Sequence, residues 1–244
     1  MKYPIEIRSF GEGAILIEWP KQVSEGVLDD ILSFQEYLIS SCISVKDWEF
    51  VPAYNSLTLV SRNTSFNFKE YKAQIKRWYI KKMEPTKKAA VIWEIPVCYD
   101  ASFGVDLKET CTKLNLTKQE LVSKHTQPIY TVYGIGFLPG FNYLGGLPPE
   151  LELVRRATPR LGVAKGAVGL AGKQTGIYPQ VSPGGWNIIG NCPVSFFNPK
   201  TKNPCFVSVG DKVRFYEVSK AAYELLKIEN EVGVFTPIKT TINA

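Results

Sequence analysis

Apolar residues alternate with polar ones over residues 3–8 and again over 14–19, the period of a half-buried strand, and the Gly11–Gly13 turn separates the two runs. The period then changes. Val27, Ile31, Phe34 and Leu38 recur at helical spacing behind Ser24, a favourable N-cap, which predicts a helix over 24–41. Strands are expected at 48–51 and 56–61, joined by a turn at Tyr54-Asn55. A second helix runs from 67 to about 83: Asn67 and Glu70 have capping-box spacing, and Phe68, Tyr71, Ile75, Trp78 and Tyr79 form its apolar stripe. With a strand at 90–97 closing the set, the pattern predicts a small α+β sandwich of the split βαβ type. The polar, helix-breaking stretch at 84–88 marks the best domain boundary, dividing the chain into 1–88 and 89–244.

Two short helices follow, 107–114 and 118–124. Asp106 with Glu109, and Thr117 with Glu120, each have the spacing of a capping box, and the second helix delivers His125 at its C-terminal end. From 129 onward the chain reads as short strands at 129–133, 162–163, 167–171, 187–189, 205–207 and 212–216. Turns separate them, which predicts a β-barrel or sandwich. A helix at 223–228 and a frayed tail after Pro237 complete the pattern.

Most of the chain's glycines crowd into residues 133–193, together with prolines, arginines and aromatics. Such a density specifies a particular loop path, and loops so constrained commonly line a site. Arg156 and Arg160, beside the stiff Thr158-Pro159 turn, are suited to bind a carboxylate or phosphate; pairing with a nearby carboxylate is the structural alternative. Gln174, Tyr178 and Ser182 offer groups for an amide or lactam, Gly184 and Gly185 shape the adjoining turn, and Phe137, Tyr143 and Trp186 supply aromatic walls. His125 has the chemistry of a general base, or of a cation placed at a helix end. The catalytic candidates are therefore His125, Arg160 and Tyr178. Substrate contacts are expected from Phe137, Tyr143, Arg156, Gln174, Ser182, Gly184, Gly185 and Trp186. Arg160→Ala is expected to impair activity and spare the fold.

Composition narrows the chemistry. The 244 residues carry a net charge of +6. Much of it is local, from Lys69, Lys72, Lys76, Arg77, Lys81, Lys82, Lys87 and Lys88, and without stacking aromatics it reads as a solvated helix face or a surface for an acidic partner, not a nucleic-acid site. A single histidine argues against a histidine-rich metal site, so no metal is expected. The five widely spaced cysteines read as reduced. No run approaches the roughly 20 apolar residues of a membrane span, and the N-terminus lacks a signal-peptide pattern, so a cytoplasmic location is expected. Gly172-Lys173 lacks the glycine and hydroxyl of a phosphate-binding loop, Gly134 to Gly140 misplaces the third glycine of a dinucleotide motif, and no Gly-x-Ser-x-Gly elbow exists.

Four motifs in order carry a resemblance that spans essentially the whole chain: GFLPGFNYLGG at 136–146, RRATPR at 155–160, GLAGKQTGIYP at 169–179 and SPGGWNIIG at 182–190. They resemble the family of 5-oxoprolinase B subunits, which also includes the kinase inhibitor KipI and the so-called allophanate hydrolase subunit 1. The resemblance implies a ferredoxin-like domain followed by a cyclophilin-like β-barrel. It further implies ATP-dependent opening of 5-oxoproline to glutamate together with A and C subunits, by phosphorylation of the lactam carbonyl and attack by water, ATP being bound in the complex. A KipI-like role, docking on a histidine kinase, is the alternative; allophanate hydrolysis is weaker because no amidase signature appears. Val163-Ala-Lys-Gly166 and Ile189-Gly-Asn-Cys-Pro193 depart from the family pattern, and the departure at Asn191 is expected to remove an anion contact.

Overall fold

Ser24 and Asn67 start the first two helices as their side chains suggest. The Ser24 hydroxyl accepts from the Val27 amide at 3.4 Å, and Asn67 accepts from the amides of Lys69 and Glu70 while donating to the Glu70 carboxylate at 2.8 Å. The computed structural model describes residues 3–63, 66–81 and 90–242. They fall into two compact units, Met1–Lys87 and Lys88–Ala244.

The first unit contains β1 (Glu6–Phe10), β2 (Ala14–Glu18), α1 (Glu25–Ser41), β3 (Trp48–Ala53), β4 (Ser56–Ser61) and α2 (Phe68–Lys81). Its antiparallel sheet has the order β1-β2-β4-β3, so β2-α1-β3 is a split βαβ unit with β4 inserted between its strands. Alternate strand residues Ile15, Ile17, Leu57 and Leu59 meet Val27, Ile31, Phe34 and Leu38 of α1 and Ile75 and Tyr79 of α2 in one buried core. Within it Asp30 accepts from the Trp19 indole at 2.7 Å and from the Tyr79 hydroxyl. Burial first, and then the neighbouring Asp30, pushes the Tyr79 phenol well up. The expected end of α2, near Met83, lies outside the described residues.

The strand at 90–97 does not close this sheet. As β5 (Ala90–Val97) it pairs instead within the second unit, and the hairpin strand β1 occupies the edge where a βαββαβ arrangement would put its last strand. Strand periodicity marks a strand without naming its partner, which is why the sequence pattern misplaced it.

The second unit continues with α3 (Leu107–Leu114), α4 (Lys118–Thr126), β6 (Ile129–Ile135), β7 (Asn142–Gly145), a 3₁₀ turn (Pro149–Leu151), β8 (Arg160–Val163), β9 (Ala167–Ala171) and β10 (Gln174–Ile177). It ends with β11 (Ser182–Gly184), β12 (Asn187–Asn191), β13 (Lys212–Glu217), α5 (Lys220–Glu231) and β14 (Ile238–Ile242). Eight strands form one sheet in the order β12-β9-β10-β7-β6-β13-β5-β14, and β8 and β11 pair as a separate ribbon. The expected barrel is not closed. β14, in the tail expected to fray, pairs with β5 from Ala90 to Glu94, so β12 meets this chain only past that point, through a single bridge between Cys98 and Asn191. The expected strand at 205–207 is irregular chain, whereas α5 extends to both sides of the expected 223–228 behind its Ser219 cap. Ile95, Val97, Tyr130, Val132, Leu144, Val168, Leu170, Val213 and Phe215 fill the core of this unit.

Candidate functional site

Asp106 organises the loops that the motifs single out. It is 2% exposed, and its carboxylate accepts four hydrogen bonds: Oδ1 from Arg156 Nη1 at 2.8 Å and from Arg160 Nη2, and Oδ2 from Arg160 Nη1 at 2.8 Å and from the Ile188 amide at 2.7 Å. All its lone pairs are in use. The expected capping box at Asp106 therefore does not form, because its side chain makes no cap bond to α3. The box at Thr117 and Glu120 does form. Glu109, the other half of the failed box, pairs with Lys113 at 2.6 Å and with Arg156 at 3.0 Å; Lys113 first, then Arg156, holds its carboxyl down at about 2.

Arg156 and Arg160 are consequently neutralised from within. Arg160 brings its bonds from β8, where it sits opposite Gly184 of β11, and the Arg156 amide donates to the Gly185 carbonyl at 2.7 Å. Both brace the β8–β11 ribbon against the start of α3. The arginines face an internal carboxylate instead of an open anion site, so Arg160→Ala is expected to cost stability as well as any activity.

The aromatic residues do assemble. Phe141 stacks edge-on against Tyr143 at 4.8 Å, Tyr178 at 5.2 Å, Trp186 at 5.3 Å and Phe137 at 5.9 Å between ring centroids. Glycines make the approach feasible: at Gly176 a Cβ would lie 2.9 Å from the Trp186 ring, and at Gly184 it would collide with the Tyr178 hydroxyl. Tyr178 is thereby sealed at 1% exposure, its hydroxyl bonded to the Trp186 backbone, and burial raises its pKa. Phe137 behaves oppositely. It is 63% exposed and has φ +68°, a left-handed backbone that costs an aromatic residue energy and that recurs at ligand sites. The guanidinium of Arg155 lies over the Trp186 ring at 5.9 Å.

His125 is elsewhere. It is fully buried, stacked on Phe215 at 4.6 Å, with Nδ1 2.7 Å from the Tyr99 hydroxyl and Nε2 2.9 Å from Thr175 Oγ1. Thr175 donates its own proton to the Gly169 carbonyl, so Nε2 must be the donor to Thr175 and Nδ1 the acceptor from Tyr99. Burial pushes the imidazole down to about 3. A neutral ring with both nitrogens engaged and no route to solvent is a core crosslink, which corrects the expectation of a general base. Tyr178, equally buried, is a support for the same reason.

Gln174 stands in β10 opposite Gly145, while the Ser182 hydroxyl turns back to the Pro183 carbonyl at 3.2 Å. Gly172 and Lys173 form the tight turn between the paired Ala171 and Gln174, so no helix follows them to bind phosphate. Asn191 is buried: its amide donates to the Lys165 carbonyl at 2.9 Å and its oxygen accepts from the Tyr223 hydroxyl at 2.9 Å. The two departures from the family pattern thus touch each other, and Asn191 serves the interior. Asp106 is what sequence reasoning missed. Asp106 had a sufficient local role as a cap, and nothing in one sequence connects it with arginines about fifty positions away. A separate groove of about 700 Å³ lies along α3 and α4, lined by Val105, Leu107, Lys108, Cys111 and Leu116 among others, and includes none of the predicted site residues.

Residues 5–207 match the carboxyltransferase domain family, subdomain C and D. The 5-oxoprolinase B subunit of Bacillus subtilis (strain 168) is 32% identical over 235 residues, which are 92% of this chain and 98% of that protein. The chain belongs to the family of 5-oxoprolinase B subunits. The B subunit of Escherichia coli O157:H7 is 35% identical over 84% of this chain and 92% of its own. Among solved structures, TTHA0988 is 32% identical with a TM-score of 0.74 over 88% of this chain, which spans 41% of that longer protein. The Kluyveromyces lactis urea amidolyase has a TM-score of 0.81 at 16% identity, covering 98% of this chain and 16% of its own, and shows the fold alone. Among the described residues of this family member, no helix is long and apolar enough to cross a membrane.

Proposed function

We propose that this chain is the B subunit of an ATP-dependent 5-oxoprolinase, opening 5-oxo-L-proline to L-glutamate in a complex with A and C subunits. The match to the Bacillus subtilis B subunit over nearly its whole length carries the proposal. The exposed Phe137 and Arg155 and the half-buried Tyr143 supply one wall of a site for a small ligand. The two residues with general-base or hydroxyl chemistry, His125 and Tyr178, are sealed, so the wall binds and orients while the reacting groups come from other subunits. ATP belongs there too, because Gly172 and Lys173 build a hairpin turn with no phosphate cradle. The cellular location is cytoplasmic on this proposal. Co-purified with its A and C subunits, the chain should be required for glutamate release from 5-oxoproline and ATP; full activity of A plus C without it would refute the assignment.

A KipI-like role in docking on a histidine kinase is favoured by one observation. Lys69, Lys76, Arg77 and Lys81 are all exposed on α2, a basic face for an acidic partner. Kinase autophosphorylation measured with and without the chain separates the two roles.

A further inference from the structure

We infer that Arg155, and neither Arg156 nor Arg160, is the cation that receives the substrate's carboxylate, beside the half-buried ring of Tyr143. This rests on the 5-oxoprolinase assignment and names the group within that site that confers specificity.

Three consecutive facts separate the arginines of the RRATPR motif. Arg156 and Arg160 are tied to internal carboxylates, both to the buried Asp106 and Arg156 also to Glu109. Arg155 is exposed, and among the described residues no carboxylate pairs with it; its side-chain partner is the Trp186 ring. Its backbone is held on both sides. The Val154 carbonyl accepts from the buried Asn187 side chain at 2.9 Å, and the Arg156 amide donates to the Gly185 carbonyl at 2.7 Å. The guanidinium is therefore placed by the same turn that carries Trp186. Its charge is also felt at the Tyr143 and Tyr178 phenols, where it opposes the rise that burial causes.

The Arg155 guanidinium lies 5.9 Å over the Trp186 ring, and a planar guanidinium held there can take a carboxylate in two parallel bonds. The neighbouring rings are apolar and flat, and Tyr143 lies 6.1 Å from Trp186 between centroids. A five-membered lactam with one carboxylate matches both parts: ring against the half-buried Tyr143, carboxylate on Arg155. The internal pairing of Arg156 and Arg160 then has a positive function, since it fixes the ribbon beside Trp186 without competing for the anion.

The test uses the full chain reconstituted with its A and C subunits, and two lactams, 5-oxoproline and 2-pyrrolidinone, which lacks the carboxylate. Arg155→Ala should raise KM for 5-oxoproline by about 10- to 100-fold with kcat little changed, the loss expected for a charged hydrogen-bonded pair. Turnover of 2-pyrrolidinone should stay as in the wild type, so discrimination between the two lactams collapses. Arg155→Lys should recover part of it. An active complex in which Arg155→Ala leaves KM for 5-oxoproline within about twofold overturns the inference alone, as does an equal loss on both lactams, which marks a structural role. A wild-type complex that releases no glutamate overturns the enzymatic assignment and this inference with it.

Discussion

Replacing Asp106 by Asn tests the central structural claim, that one buried carboxylate holds the site loops together. The carboxylate accepts from two guanidiniums and from the Ile188 amide, and an amide side chain keeps a single acceptor oxygen while turning two N–H groups toward donors. Removing one partner of a buried ion pair costs about 3–5 kcal/mol. Here both arginine side chains remain more than a quarter exposed, at 27% and 29%, so water compensates part of the loss and the low end, about 3 kcal/mol, applies. For a unit of this size each kcal/mol shifts Tm by about 2–4 °C, which gives a fall of about 6–12 °C. Differential scanning calorimetry of the full chain is the assay. A double-mutant cycle with Arg160→Gln should show at least about 1 kcal/mol of coupling, because the second substitution removes a charge that the first has already stranded. A Tm change below about 2 °C, or strictly additive effects, would refute the claim.

Protonation of His125 should make the fold acid-sensitive. The folded imidazole titrates at about 3 against 6.5 when free, so the unfolded chain binds the proton first, and stability present above about pH 6.5 is lost as pH falls toward 3. The slope is about 1.4 kcal/mol per pH unit for this one group, and denaturant titrations between pH 4 and 6 should find it reduced by that amount in His125→Gln; an unchanged slope contradicts the assignment. Gly166→Ala and Gly172→Ala both place alanine at positive φ, but a Cβ at 166 would strike the Cys192 carbonyl and Asn191, whereas 172 is open. Urea unfolding should therefore show a loss of about 1 kcal/mol at 172 and clearly more at 166, and equal losses would remove the packing argument. Asn191→Ala should cost about 1–3 kcal/mol by leaving the Lys165 carbonyl and the Tyr223 hydroxyl unpaired in the interior. Conversely, a stability equal to wild type would show that water replaces the amide.

Local signals were legible wherever the physics is local. Ser24, Asn67, Thr117 and their helices, the hydrophobic period of α1 and the turn chemistry of residues 133–193 depend on neighbours a few positions away, and chain composition expresses them directly. The family was legible too, because four ordered motifs are themselves sequence. What tertiary structure alone decided was partnership. β5 joined β13 and β14 instead of the first sheet, since strand pairing is chosen across long separations that leave no local trace. His125 and Tyr178 looked chemically competent and proved to be buried, because a residue's type says nothing of which face of a Gly-rich strand or helix end becomes the interior. The three arginines of RRATPR are equivalent as letters. Only the positions of Asp106 and Glu109, about fifty residues earlier in the chain, tie two of them to internal carboxylates and leave Arg155 over Trp186 as the charge still able to meet a ligand.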